Sequence, residues 1–213
     1  MKKNMYSRAV ARFMTQFKVN WVIKILIVSD FLIWSAQQLF APVFALFIAG
    51  QIEGGSLETA GIAVAIYFVV RSIVEAPVGI WNDRTKAESD DLYTAFFGTM
   101  MTAFVMFGYT AMTQVWELYL GQALLGVGAA IAFPGWYSIF TRHIDKNKEA
   151  FEWSLFDTLL GLGMAGSAAL GGLLATRYGF NTLFLLAGIG TMLGALLLLS
   201  IRHKICQREV CDA

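Results

Sequence analysis

Four polar residues interrupt an otherwise apolar run near the start of the chain: Asp30, Trp34, Gln37 and Gln38. At 3.6 residues per turn they share one broad face of a helix. A carboxylate there can carry a proton or meet a cation, and the indole and amides can hydrogen-bond a solute. A second group, Arg71 and Glu75, stands four residues apart in the next apolar run, so the two side chains meet on one helix face. Gln122 interrupts a later run alone. A charge at the centre of a bilayer span costs about 2.5–3.5 kcal/mol, and each Leu or Phe returns only about 0.3–0.6 kcal/mol. Such charges need a reason, and function is the first to weigh. For Asp30 the plainer alternative is a structural pair with Lys24. For Arg71 and Glu75 it is an ion pair that neutralises its own helix.

Other chemistries find no footing. The chain has two histidines, His143 and His203, and two cysteines, Cys206 and Cys211, both near its end. No triad, no disulfide framework and no metal-ligand spacing can be assigned to them. No glycine-rich phosphate loop is present, which argues against an ATP-driven pump. Neither an enzyme nor a resident cofactor is expected. A net charge of +1 gives no basic excess for nucleic acid.

The elements that hold the polar residues are membrane spans. Of 213 residues, 57% are hydrophobic and 15% charged, against about 45–50% and 25% in soluble domains. Runs of spanning length, roughly 17–25 residues, lie at Ile25 to Ala49, Leu57 to Gly79, Tyr93 to Met112, Leu118 to Phe140, Trp153 to Thr176 and Thr182 to Ile201. An all-α membrane protein of six helices follows. It has a cytoplasmic or interfacial segment over 1–24, a bundle over 25–201 and a cytoplasmic tail over 202–213. The first run is read as a retained helix, since five more follow it. Tyr6, Val10, Phe13 and Phe17 give the leading segment an aromatic stripe suited to the headgroup layer.

Cationic flanks orient the bundle. Fourteen Lys and Arg flank one side, and Arg177 stands alone on the other. The positive-inside rule therefore puts both termini in the cytoplasm of a bacterial or archaeal cell. Gly163, Ser167 and Gly171 form a small-residue ridge on the fifth span, read as helix packing. Asp157 reads as a carboxylate near the headgroups, and Trp136 and Tyr137 as interfacial belt aromatics.

An internal repeat is visible. Phe40-Ala41-Pro42 and Ala132-Phe133-Pro134 place prolines 92 positions apart. Gly79-x-x-x-Asp83-Arg84 and Gly172-x-x-x-Thr176-Arg177 recur at an offset of 93. This suggests two three-helix units, about 25–112 and 118–201, the second inverted because three is odd.

Gly79, Asp83 and Arg84 also match the Gly-x-x-x-Asp-Arg signature after the second span of the major facilitator superfamily, which the chain resembles over all six spans. Lys86, Ala87 and Glu88 depart from the rest of that signature. Gln122 stands where a buried arginine precedes Gly-x-Gly in the family's fourth span, so the arginine's proton relay does not carry over. Ser167 to Gly172 lacks the Gly-Pro pair of the drug/proton antiporters. The resemblance implies a 3+3 half-bundle in which the first and fourth spans line the substrate path. It implies secondary transport of a small solute by alternating access, with Glu75 or Asp30 taking the proton if transport is proton-coupled. Gly79, Asp83 and Arg84 would then be a gate. A lone half would expose its cavity face to lipid, so a parallel homodimer or a pair with a related half is expected. A non-transporting membrane subunit or scaffold, or a fragment of a longer transporter, is the alternative.

Overall fold

The computed structural model describes residues 19–85 and 87–205. The aromatic stripe from Tyr6 to Phe17, Lys86, Cys206 and Cys211 lie outside them. The described chain is helical: α1 (Trp21–Gln38), a 3-10 turn (Ala41–Val43), α2 (Phe44–Gln51), α3 (Leu57–Thr85), α4 (Glu88–Gly108), α5 (Val115–His143), α6 (Glu149–Tyr178) and α7 (Phe180–Leu198), which a second 3-10 turn (Leu199–Ile201) follows. Five stretches are long and apolar enough to cross a membrane: 21–51, α3, α5, α6 and 180–205. The remaining expected span is α4. Acidic Glu88, Asp90 and Asp91 in its first turn and Thr94, Thr99 and Thr102 beyond lower its apolarity. It tolerates them because α5 and α7 pack along it and its threonines are satisfied internally. Thr99 Oγ1 donates to the Ala95 carbonyl at 2.7 Å and Thr102 Oγ1 to the Thr99 carbonyl at 2.7 Å.

Helix ends follow local chemistry. Asn20 caps α1 by accepting from the Val22 amide at 3.1 Å. Gln114 and Glu117 form a capping box on α5, in which Glu117 Oε2 accepts from the Thr113 and Gln114 amides at 2.7 and 3.0 Å. The matched prolines behave differently. At Pro42 the first span breaks into α1 and α2, whereas Pro134 sits inside continuous α5, as Pro77 sits inside continuous α3.

Neighbouring helices run in the order α6, α1, α7, α4, α5, α3, with extensive contact at each step. Exchanging α1 with α5, α3 with α6 and α4 with α7 maps this order onto itself. The packing therefore carries the three-plus-three repeat that the sequence only hinted at. Backbones meet closely where α4 crosses α5. There a Cβ on Gly98 would lie 2.5 Å from both the Gly128 carbonyl oxygen and the Ala132 amide nitrogen.

Two apolar clusters close the bundle at its ends. One is aromatic: Phe40, Phe44, Phe47, Tyr109 and Phe184 pack with ring centroids 4.7–6.5 Å apart. The other joins Val22, Ile23 and Leu26 to Phe140, Phe156, Leu198 and Ile205. Since it includes residues near both described ends, those ends lie at the same end of the bundle. Ser29, Asp30, Thr99, Thr102 and Thr191 are buried polar residues on the helices that join the two clusters.

Candidate functional site

Between the clusters lies a cavity of about 60 Å³ lined by Asp30, Ile33, Trp34 and Gln37 of α1, Tyr67 of α3, Thr99 and Thr102 of α4, and Ala129, Ala132, Phe133 and Trp136 of α5. That is room for a few water molecules or a small headgroup, well below the roughly 300–1,000 Å³ that encloses a drug-sized ligand. Asp30 is 6% exposed. Trp34, one turn along, is its hydrogen-bonding side chain, the indole N–H donating. Among the described residues Asp30 has no salt-bridge partner, and Lys24 is exposed.

Arg71 and Glu75 stand at the cavity's edge. Arg71 Nε donates to Glu75 Oε2 at 2.8 Å, and Nη1 reaches the Tyr67 hydroxyl at 3.5 Å. The guanidinium also lies over the Phe133 ring, its Cζ 4.0 Å from the centroid. Phe133 contacts Trp34 at 5.8 Å between centroids and stacks on Tyr137 at 5.7 Å. Asp30, Arg71, Glu75 and Asp157 all act electrostatically on the Tyr137 hydroxyl. Asp30 and the Arg71–Glu75 pair thus flank one shelf of aromatic rings. Asp157 itself is exposed, in the third turn of α6.

Of the polar lining expected from sequence, Asp30, Trp34 and Gln37 border the cavity, and Arg71 and Glu75 adjoin it. Gln38 and Gln122 do not line it. Gln122 Nε2 donates to the Tyr109 hydroxyl at 3.0 Å, which ties it into the aromatic cluster. Sequence reasoning missed Tyr67, Thr99, Thr102, Phe133 and Trp136, since apolar and aromatic residues on a span read equally well as lipid-facing. Trp136 is not a belt residue: it is 5% exposed, stacks on Phe140 at 4.9 Å, and its Nε1 is buried without an acceptor.

At the end where the described termini lie, the motif residues Asp83 and Arg84 are exposed. A Cβ on Gly79 would meet Pro134 only at 3.9 Å, an ordinary contact. The buried polar network uses their neighbours. Asp91 pairs with Arg142 at 3.1 Å and accepts from Ser138 Oγ at 2.7 Å. Glu88 Oε1 lies 2.9 Å from His143 Nδ1, which also stands 3.0 Å from the Ile139 carbonyl, and Asn82 Nδ2 donates to Thr94 Oγ1 at 3.2 Å. Asp91 precedes the apolar part of α4. Its burial holds the carboxyl above the usual range, outweighing the Ser138 donor and the Arg142 charge.

On α6, a Cβ at Gly171 would overlap the Leu39 carbonyl oxygen, and one at Gly163 would overlap Ser35 and Phe31. Both glycines thus let α6 lie directly on the first span, with half-buried Ser167 between them.

The first and fourth spans line the cavity, as the family resemblance implies, and the second and third contribute Tyr67, Thr99 and Thr102. The model of the Major Facilitator Superfamily matches residues 26–205. The chain belongs to this superfamily. Among its relatives are the "Ascorbate transporter, chloroplastic" of Arabidopsis thaliana, 23% identical over 79% of this chain, and the "Multi-drug resistance efflux pump PmrA homolog" of Lactococcus lactis, 26% identical over 87%. The "Proton-coupled antiporter flippase LtaA" of Staphylococcus epidermidis is 24% identical over 37% of this chain. The chain spans 31%, 46% and 20% of the lengths of these three relatives, in that order.

Proposed function

We propose that this superfamily member forms one half of a secondary transporter that moves a small solute by alternating access, with Asp30 as the coupling carboxylate. The observation that carries this reading is Asp30 itself. It is buried, without a cation partner among the described residues, and borders a cavity between two tightly packed apolar ends. Such a group is unstable as an anion and is relieved by a proton or by a cationic solute, one at a time. Exchange of one for the other is the elementary step of coupling. Glu75, held by Arg71, is the second candidate for the proton.

The partner half is read as a second copy in the same orientation. α3 and α6 are the spans least covered by the bundle, and they are equivalent under the repeat. Each presents a stripe of small residues, exposed Gly61, Ala65, Ser72 and Ala76 on α3 and exposed Gly161, Ala165 and Ala169 with half-buried Gly172 on α6. Methyl groups added at Gly61, Gly161 and Gly172 would meet nothing within 4 Å. Faces of this kind admit close helix contact. With both described ends on one side, a two-fold axis along the membrane normal relates two copies without inversion. Under this reading that side is cytoplasmic, and Gly79, Asp83 and Arg84 act at the seam between halves.

The test is proton-driven uptake in proteoliposomes alongside subunit mass by native mass spectrometry in nanodiscs. Uptake by a dimer that cross-links through cysteines at Ile73 supports the reading. Active monomers, or a dimer inert to every imposed gradient, would replace it with a single-chain carrier or a non-transporting membrane subunit respectively.

A further inference from the structure

Resting on the transporter reading, we infer that the cavity takes the substituted-ammonium headgroup of its solute, held by Asp30 and by the lining aromatic side chains Trp34, Phe133 and Trp136. Three observations converge on a cation. Among the described residues the charges placed at the aromatic shelf are two carboxylates, Asp30 and Glu75, against one cation, Arg71. The most buried of them, Asp30, has no cationic partner among the described residues and borders the cavity. The Phe133 face already holds a cation, the Arg71 guanidinium at 4.0 Å.

Arg71 is the protein's own occupant of a cation site. It cannot serve an anion equally well, because its Nε is committed to Glu75 at 2.8 Å and one face of its guanidinium to Phe133. A carboxylate or phosphate in the cavity would meet Asp30 at close range, and among the described residues the cation beside it, Arg71, is already engaged by Glu75 and Phe133. A bare primary ammonium would forfeit strong hydration for few hydrogen-bond acceptors. A methylated ammonium is weakly hydrated and fits what the wall offers, namely aromatic faces and one carboxylate. Four of the lining residues, Trp34, Tyr67, Phe133 and Trp136, are aromatic. The volume of about 60 Å³ limits this half to the headgroup, so the remainder of the solute extends toward the partner half. Neutralised by the incoming headgroup, Asp30 no longer requires its proton, which links the ligand's charge to the coupling step.

The experiment uses the purified full chain in nanodiscs and a matched pair of probes, choline and its uncharged isostere 3,3-dimethylbutan-1-ol, at constant ionic strength. Quenching of tryptophan fluorescence is the readout, since Trp34 and Trp136 line the cavity. Choline should quench saturably at concentrations at least about tenfold below those the isostere requires. Asp30→Asn should weaken choline about tenfold and Asp30→Glu much less, which separates charge from folding. Phe133→Leu should weaken it severalfold, and the Arg71→Gln/Glu75→Gln double variant, which frees the Phe133 face without stranding a charge, should tighten it. Equal affinity for the isostere, insensitivity to Asp30→Asn, or no saturable choline signal up to about 100 mM would overturn the assignment. Proton-driven uptake of an anion or neutral solute without choline binding would sink the headgroup class and leave the transporter standing. Choline binding in liposomes that move nothing would do the reverse.

Discussion

The two charged regions of the bundle differ in what their charges hold together. At the end where the described termini lie, the buried contacts join two helices: Arg142 of α5 pairs with Asp91 of α4, and Glu88 of α4 lies 2.9 Å from His143 of α5. In the middle, Arg71 and Glu75 are one turn apart on the same helix, and Asp30 pairs with no cation among the described residues. Charges that bridge helices strengthen the tertiary contact they span. The Arg71–Glu75 pair lies on one helix and reaches α5 only through the Arg71 guanidinium on the Phe133 ring, and a lone carboxylate detracts from packing. The end network accordingly reads as structure and the middle as function, retained despite its energetic cost.

Breaking the middle should therefore cost activity and spare the fold, and this is the largest effect expected. Asp30→Asn removes the charge and keeps the shape. Proton-driven uptake should fall by more than about tenfold, while the melting temperature holds or rises because a buried carboxyl no longer needs to ionise. Uptake equal to wild type would remove Asp30 from the coupling step and erase the functional side of the contrast.

Breaking the end should do the opposite. Arg142→Gln leaves Asp91, whose side chain is 1% exposed, buried with only its Ser138 hydrogen bond. Removing one partner of a buried pair costs about 3–5 kcal/mol; because Arg142 is 38% exposed the expectation is about 2 kcal/mol. Adding Asp91→Asn should recover most of the loss. Arg71→Gln, by contrast, should cost under about 1 kcal/mol. Chemical denaturation in one detergent compares all four, and equal losses at Arg142 and Arg71 would show that the two regions are not distinct in kind.

Packing offers a comparison inside one helix. Gly171 abuts the Leu39 carbonyl and Gly172 faces open space. Gly171→Ala should destabilise by about 1–3 kcal/mol as α6 is pushed off the first span. In a monomer Gly172→Ala should stay within about 0.5 kcal/mol. A dimer that uses the small-residue stripe would raise the second cost, so measuring Gly172→Ala as a function of subunit concentration sharpens the dimer reading as well.

Most of the fold was legible because lipid imposes a simple rule: every span must be long, apolar and helical. The span at Tyr93 to Met112 shows how far that reading reaches, since its helix runs Glu88–Gly108 and carries acids and threonines that only its neighbours make tolerable. The proline repeat was legible as an offset but not as an outcome. Pro42 coincides with a helix break and Pro134 with a continuous helix. At the site, charge was readable and aromatic lining was not. Asp30 and Arg71 stand out in any apolar run, whereas Phe133 and Trp136 become lining only through the way α5 meets α1 and α3. Gln122 shows the converse, a polar residue that stood out and is satisfied by Tyr109 away from the cavity. The motif beginning at Gly79 lies at the end of the bundle where the described termini lie, and the buried network there belongs to Asn82, Glu88 and Asp91.

The smallest predicted effect separates that network from the motif residue nearest it. Burial lifts the Asp91 carboxyl above its ordinary range despite Ser138 and Arg142, and the charges of Glu88 and Asp83 push the same way. An acid that holds its proton more tightly in the folded state makes folding take up protons. Its contribution to stability is therefore full below the ordinary carboxylate range and is lost as pH rises through the raised folded value. Wild type should gain on Asp91→Asn as pH is lowered across that window, and taking the difference between the two proteins cancels the other titrating groups they share. The opposite slope would mean that Arg142 outweighs burial and that the network is a conventional ion pair. Asp83→Asn should shift the same window only slightly downward, because exposed Asp83 acts on Asp91 through solvent. A shift as large as that from removing Glu88 would instead mean that Asp83 folds against this network in another state of the protein, the behaviour a gate at the seam between halves requires.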